Sequence, residues 1–192
     1  GLMTLRQGIE KSRNLMTVRL AQDVGMDKVA DYAKKTGVNP NLPHLLSMSL
    51  GAGETKLINM ASAYSMFVNG GKKVEPYLVE RIQDRNGLTI YRHDDRECEG
   101  CEVHAWENQP VPKLADNREQ ILDPLSAYQM VSILEGVVQQ GTGARLRALG
   151  KHLAGKTGTT NRNQDAWFVG FSPDLVVAVY VGFDEPRTLG RY

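Results

Sequence analysis

Residues 152–183, HLAGKTGTTNRNQDAWFVGFSPDLVVAVYVGF, contain three mostly apolar segments separated by short polar links. The last two segments, 165–172 and 175–183, are rich in β-branched and aromatic residues, which favour strands. Only Pro173 and Asp174, a pair typical of a turn, lie between them. Because this link is so short, we expect two antiparallel neighbouring strands, with helices covering at least one face of the sheet.

Helical spacing precedes this sheet along the chain. Apolar residues recur at three- and four-residue steps, and the expected helices cover residues 2–21, 26–36, 56–68, 124–140 and, as a short segment, 144–149. Thr4 with Gln7 predicts a capping box, and Thr55 and Asp123 are the expected caps of two later helices. Helices followed by an antiparallel sheet predict the α+β class.

The sequence pattern changes near residue 75. The segments PYLVERI and LTIYRH flank Asn86-Gly87, a pair that suits a tight hairpin turn. Residues 93–117 carry many charges and little periodicity, so we expect a loop insertion there. The rest of the chain, within 1–192, is expected to belong to a single domain.

Composition excludes several function classes. The chain has 192 residues, 41% hydrophobic and 23% charged, which is typical of a globular protein. Its net charge of +1 gives no broad basic surface for nucleic acid. No apolar run approaches the ~20 residues that span a bilayer, and no signal segment opens the chain.

The segment AGKTGTTN at 154–161 is the first candidate for chemistry. Lys156 and Gly158 are expected to face one side of a strand, and Thr157 and Thr159 the other. An ammonium, two hydroxyls and an unobstructed backbone can hold a carboxylate and stabilise an oxyanion. By itself, however, so short a segment is more typical of a strand that ends in a polar turn.

Two further segments carry polar side chains at breaks in helical patterns. Ser12 and Asn14 compete with backbone hydrogen bonds inside the first expected helix, although in isolation they are more typical of a helix cap or a solvated face. Gly141, Thr142 and Gly143 lie between two expected helices, where glycine and threonine commonly serve as caps.

Together, these segments are more specific than each is alone. Ser-x-Asn, then Gly-Thr-Gly, then Lys-Thr-Gly-Thr-Thr before a buried hairpin resembles the transpeptidase domain of penicillin-binding proteins, whose superfamily includes the serine β-lactamases. SLGAGETKLINMASAYSMFVNGG, YLVERIQDRNG, VVQQGTGARL and GKTGTTNRNQDAWFVGFSPDLVVAVYVGFDEP resemble the Gram-negative class A members in particular. The resemblance covers almost the whole chain and implies a β-lactamase/transpeptidase-like fold.

The resemblance implies roles for six residues. Ser12 would relay protons toward the leaving group, and Asn14 would hydrogen-bond the substrate. Lys156 would supply positive potential near Ser12. Thr157 and Thr159 would bind the substrate carboxylate, with Gly158 between them and the Thr159 N–H as an oxyanion donor. The implied ligands are the D-Ala-D-Ala stem peptide of peptidoglycan and β-lactams, with no cofactor and no metal.

The family nucleophile, the serine of a Ser-x-x-Lys motif, does not occur in the chain. No serine has lysine three positions later: the serines are Ser12, Ser47, Ser49, Ser62, Ser65, Ser126, Ser132 and Ser172. We therefore expect the early strands, the nucleophile helix and a membrane anchor in an N-terminal part of the same protein, and this chain alone to be inactive. The family implies a location at the periplasmic face of the inner membrane. The open alternatives are a serine β-lactamase and a non-catalytic receptor or scaffold.

Cys98 and Cys101 lie in HDDRECEGCEVH, between His93 and His104. Two sulfur and two nitrogen ligands could bind zinc, but the spacing is compressed for a zinc module. The periplasmic location implied by the family favours a disulfide. We rank the disulfide first, free thiols second and zinc last.

Overall fold

A computed structural model of the chain describes residues 3–98, 100, 101, 103, 105 and 107–190. The described residues divide into two compact units. The larger unit contains the residues up to Val74 and those from Glu119 onward, and the smaller unit contains Glu75–Arg118.

The larger unit holds the five α-helices found among the described residues. They are α1 Leu5–Glu10, α2 Asn14–Val24, α3 Met26–Lys35, α4 Leu57–Val68 and α5 Pro124–Gln140, and three 3₁₀ segments span Leu46–Leu50, Ala144–Leu149 and Asn161–Asn163. In the described part of the chain, no helix combines the length and apolar character that crossing a membrane requires.

The strands are β1 Arg81–Gln83 and β2 Thr89–Arg92 in the smaller unit, and β3 Ala154–Thr159, β4 Ala166–Phe171 and β5 Val176–Val181 in the larger one. The larger sheet has the order β3-β4-β5 with both pairs antiparallel. Helices and antiparallel sheets confirm the α+β prediction. Lys156 pairs with Val169, and Gly158 pairs with Trp167, so the KTG segment is part of a regular strand.

The core of the larger unit joins α5 to the sheet. Leu134 and Val137 of α5 form one buried cluster with Ala154 of β3 and Phe171 of β4. Alternate residues of a strand share a face, so Lys156 lies on the same helix-covered face as Ala154. The cluster therefore sets the position of the KTG strand against α5.

The first expected helix, 2–21, is wrong as a single element. The Thr4–Gln7 capping box is present, but α1 ends at Glu10 and α2 starts only at Asn14. Ser12 lies between them with φ 49°, a left-handed conformation that a continuous helix cannot contain. Leu2, which the prediction used, lies outside the described residues.

The predicted caps of the later helices differ in outcome. Asp123 caps α5 as expected, because its carboxylate accepts a hydrogen bond from the Ser126 N–H at 2.8 Å. Thr55 does not cap α4: its hydroxyl donates to the Val38 carbonyl, and α4 begins at Leu57 without a side-chain cap. The Thr55 hydroxyl therefore bonds to a carbonyl distant in sequence and not, as the local pattern predicted, to the start of α4.

The smaller unit contains the predicted hairpin. Gly87, with φ 84°, and the Asp84 carboxylate, which accepts from the N–H groups of Asn86 and Leu88, close the turn between β1 and β2. The unit begins at Glu75, whereas the predicted insertion of 93–117 covers only its later part and stays a prediction.

Cys98 and Cys101 are joined by a disulfide, with Cα atoms 5.5 Å apart. His93, one of the ligands considered for zinc, stacks its ring on Tyr77 at 3.8 Å, and His104 lies outside the described residues. No group of three or more potential ligands in the described part of the chain could hold a metal ion.

Candidate active site

The side chains of Ser12 and Lys156 meet although 144 residues separate them. Ser12 lies in the turn between α1 and α2, and Lys156 lies in β3. The Lys156 Nζ donates a hydrogen bond to the Ser12 Oγ and a second one, of 2.9 Å, to the Thr157 carbonyl. The fold thus joins the Ser-x-Asn and Lys-Thr-Gly segments at one place.

The turn that carries Ser12 is held by its own backbone. The Ser12 N–H donates to the Ile9 carbonyl at 3.1 Å, and the Arg13 N–H donates to the Gly8 carbonyl at 2.8 Å. Met16 of α2 packs so closely on α1 that a Cβ added to Gly8 would lie 1.8 Å from its Cε atom. These contacts fix the backbone of the turn from which the Ser12 side chain projects.

Lys156 is partly buried, and its environment changes its basicity. Both of its hydrogen-bond partners in the described part of the chain, a hydroxyl and a carbonyl, are uncharged. Burial without a compensating anion disfavours the charged form, and it lowers the pKa of the Lys156 amine below its ordinary value.

The turn after α5 adds a third segment to the site. The Thr142 and Thr157 hydroxyl oxygens lie 2.6 Å apart in a hydrogen bond, and the Thr142 N–H donates to the Glu10 carbonyl at 3.1 Å. The Gly-Thr-Gly segment, for which the sequence left a capping role open, therefore contacts both the KTG strand and the end of α1.

The other three predicted residues lie close by in sequence but make fewer contacts. Gly158 faces Trp167, and an added Cβ would lie 3.3 Å from the Trp167 Cβ. Thr159 is exposed at the end of β3, and Asn14 is exposed at the start of α2. Among the described residues, no hydrogen bond links the side chain of Asn14 or Thr159 to Ser12 or Lys156.

The turn beyond Thr159 is shaped by hydrogen bonds of Asp165. Its backbone N–H donates to the Thr160 hydroxyl at 2.8 Å, and its carboxylate accepts from the Tyr180 hydroxyl at 2.8 Å. This hydrogen bond also raises the pKa of Tyr180. Residues 162 and 163 adopt positive φ values in the same turn. Asp165 therefore links the residue after the KTG strand, Thr160, to Tyr180 of β5.

Sequence reasoning missed one buried side chain at this site, that of Glu10. Its signal was indirect: Gly136 lies inside α5, where an added Cβ would be 2.1 Å from the Glu10 Oε1, and a glycine inside a helix usually has a packing reason. The residue on the other side of that contact, far away in sequence, could not be inferred from the glycine.

The site can act on a carbonyl compound. A hydroxyl in contact with an ammonium can pass a proton to a leaving group, and a strand end that offers N–H groups and hydroxyls can hold a carboxylate or stabilise an oxyanion.

Comparison with known proteins identifies this combination. Residues 1–192 match the family described as penicillin binding protein transpeptidase domain, and the chain belongs to that family. Its relatives include penicillin-binding protein 1A of Rickettsia bellii, 49% identical over 100% of this chain and 24% of that protein. The resemblance to class A penicillin-binding proteins is therefore confirmed.

Solved structures agree with this assignment. Penicillin-binding protein 1A from Haemophilus influenzae matches with a TM-score of 0.81 and 27% identity, over 98% of this chain and 31% of that one. PonA1 from Mycobacterium tuberculosis in complex with penicillin V matches with a TM-score of 0.74 and 26% identity, over 97% and 50% of the two chains. The fold is that of the β-lactamase/transpeptidase class, and the chain spans about a quarter of the length of its curated relatives.

Proposed function

We propose that this chain is part of a serine D,D-transpeptidase that cross-links peptidoglycan stem peptides and is acylated by β-lactams. The observation that carries the proposal is the contact of the Lys156 ammonium with the Ser12 hydroxyl beside the KTG strand. In this family, such a pair serves a serine nucleophile. The nucleophile and its lysine, a Ser-x-x-Lys motif, belong to another part of the same protein, because no serine of this chain has that spacing.

The reaction assigns each predicted residue a task. The nucleophilic serine gives its proton to the lysine of its own motif as it attacks the carbonyl of the penultimate D-Ala, and the Thr159 N–H stabilises the oxyanion that forms. The C–N bond then breaks, and Ser12 passes a proton to the departing terminal D-Ala and regains one from that protonated lysine. Lys156 keeps the potential at Ser12 positive, which favours this transfer.

Substrate binding uses the remaining groups. The hydroxyls of Thr157 and Thr159 hold the terminal carboxylate of the stem peptide, while Gly158 leaves room for its backbone. The Asn14 amide hydrogen-bonds the peptide from the other side. An amine of a second stem peptide then attacks the acyl-enzyme, releases the serine and completes the cross-link.

A β-lactam would enter the same site as a cyclic amide that carries a carboxylate. PonA1, a structural relative, is known in complex with penicillin V. The mechanism uses side chains and backbone of this chain together with the nucleophile of the other part of the protein, and we propose neither a cofactor nor a metal for it.

The natural setting follows from the proposed substrate. Peptidoglycan stem peptides are outside the cytoplasmic membrane, so we propose a location at the periplasmic face of the inner membrane. An N-terminal part of the same protein would supply the nucleophile helix and the anchor. Nucleic acid is not a proposed partner, in line with the net charge of +1.

Labelling by fluorescent penicillin tests the proposal. We expect the complete protein to form a covalent adduct that survives denaturation, and this chain alone to form none, because it lacks the nucleophile. Rapid release of hydrolysed penicillin by the complete protein would favour a β-lactamase. Binding without a covalent adduct would favour a receptor, and labelling of the isolated chain would contradict the argument from the missing nucleophile.

The lowered pKa of Lys156 predicts a pH dependence. If the ammonium form assists acylation, the rate constant should fall as alkaline pH removes its proton, and burial places this fall below the ordinary pKa of lysine. In Lys156→Arg the guanidinium stays charged, so the fall of the rate constant at alkaline pH should disappear. The rate constant should also be lower than that of the wild type at every pH, because the guanidinium has a different geometry. If the rate constant falls at the same alkaline pH in both proteins, the group that titrates is not Lys156.

A further inference from the structure

Glu10 is a buried carboxylate that the proposed reaction does not use. It is the last residue of α1, two positions before Ser12, and only 2% of it is exposed. Taking a carboxylate out of water is costly unless other groups compensate for it. A residue retained at this cost points to a specific task of its side chain.

The Glu10 carboxylate is bound to the end of α5. Its Oε2 accepts a hydrogen bond of 3.0 Å from the Gln140 side-chain amide. Its Oε1 has no hydrogen-bond partner among the described residues and lies 3.9 Å from an Arg6 guanidinium nitrogen. That guanidinium also donates to the Ser132 carbonyl at 2.8 Å, so α1 is tied to α5 at two levels.

Two glycines of the α5 segment leave space for Glu10. A Cβ at Gly136 would lie 2.1 Å from the Glu10 Oε1, and a Cβ at Gly141 would lie 2.3 Å from the Glu10 backbone oxygen. Glycine is less favourable than alanine inside a helix. The helix therefore gives up stability at Gly136, the position that Glu10 needs.

These contacts close a circuit around the site. The Glu10 carbonyl accepts a hydrogen bond from the Thr142 N–H, and the Thr142 hydroxyl bonds to the Thr157 hydroxyl. Lys156, next to Thr157, donates to the Ser12 hydroxyl. Ser12 is in turn two residues after Glu10 in the chain. We propose that Glu10 is a positioning residue, which anchors the Ser12 turn on the end of α5 and so holds the Ser12 hydroxyl at Lys156. This inference rests on the proposed transpeptidase function.

The test uses Glu10→Ala and Glu10→Gln in the complete protein, with fluorescent penicillin as the probe. Its concentration dependence separates the dissociation constant of the non-covalent complex from the covalent rate constant. We expect Glu10→Ala to lower the covalent rate constant by about 10- to 100-fold, because small misplacements of catalytic groups have effects of this size. The dissociation constant should change little, since Thr157 and Thr159 remain.

Glu10→Gln is the matched control, since it has the same size and can still accept from Gln140. We expect it to restore most of the covalent rate constant. A lower unfolding temperature for Glu10→Ala with an unchanged covalent rate constant would show a purely structural residue and overturn the proposal. If the wild-type protein is not labelled at all, the proposed function fails instead.

Gly136→Ala tests the same contact from the helix side. Its methyl group should displace the carboxylate and lower the covalent rate constant in the wild-type background, but cause no further loss in Glu10→Ala. Equal losses in both backgrounds would overturn the proposal. If Glu10→Ala does not fold, Gly136→Ala in the wild-type background decides. An unchanged covalent rate constant in folded Gly136→Ala would contradict the positioning role.

Discussion

Replacement of Lys156 by alanine in the complete protein is expected to lower the rate constant of acylation by fluorescent penicillin by about 10³-fold. The change removes the ammonium that contacts the Ser12 hydroxyl. Ser12 would then lose both its positive neighbour and the hydrogen bond that orients it. The loss should appear in the covalent step, because proton transfer and charge stabilisation act there.

The fold should survive this change. Lys156 is at the end of the buried stretch of β3, and its ammonium makes no salt bridge in the described part of the chain. Burial lowers its pKa, so the charged form is not what stabilises the folded chain. The thermal unfolding midpoint measured beside the acylation rate should therefore stay close to that of the wild type.

Lys151→Ala is the matched control, since it removes an exposed lysine five residues before Lys156. Acylation of this variant should remain at the wild-type rate. Equal rates for Lys156→Ala and the wild type would remove the KTG lysine from the mechanism. Equal losses in both variants would point to a general effect of charge rather than to the contact with Ser12.

The sequence predicted the elements whose pattern is strong and local. The strands around Trp167 and Val179 follow from consecutive apolar and β-branched residues, and α5 begins and ends where Asp123 and Gly141 predict. In α5 and β4 the local preference agrees with a buried face, whereas β5, expected in a buried hairpin, is a strand although most of its side chains are exposed. The resemblance to penicillin-binding proteins depended on these same segments.

The sequence failed where a distant partner decides the local conformation. Ser12 has left-handed φ in a stretch with helical spacing, and Thr55 donates to Val38 instead of capping α4. The Ser12 hydroxyl meets Lys156, a residue of β3 that lies 144 positions away in sequence. Such pairings carry no periodic signal: the family resemblance implied that Lys156 lies near Ser12, and nothing in the sequence pointed to the contact of Thr55 with Val38.

The contact between α5 and the sheet predicts the largest effect on stability. Leu134→Ala is expected to lower the free energy of unfolding by about 2–5 kcal/mol, the range for a buried leucine that leaves a cavity. Leu134 is 2% exposed and contacts the cluster that contains Ala154 and Phe171. The cavity would open between the helix and the first two strands of the larger sheet.

Leu125→Ala is the matched control, because it makes the same chemical change in the same helix at a side chain that is 74% exposed. Its unfolding free energy should stay within about 0.5 kcal/mol of the wild type. Urea unfolding of the complete protein, followed by tryptophan fluorescence, measures both variants, since Trp167 lies in β4. Similar losses for the two leucines would mean that α5 is not held to the sheet by this cluster. A large loss for Leu134→Ala alone would show that the packing of α5 on β3, the strand that carries Lys156, and on β4 stabilises the unit.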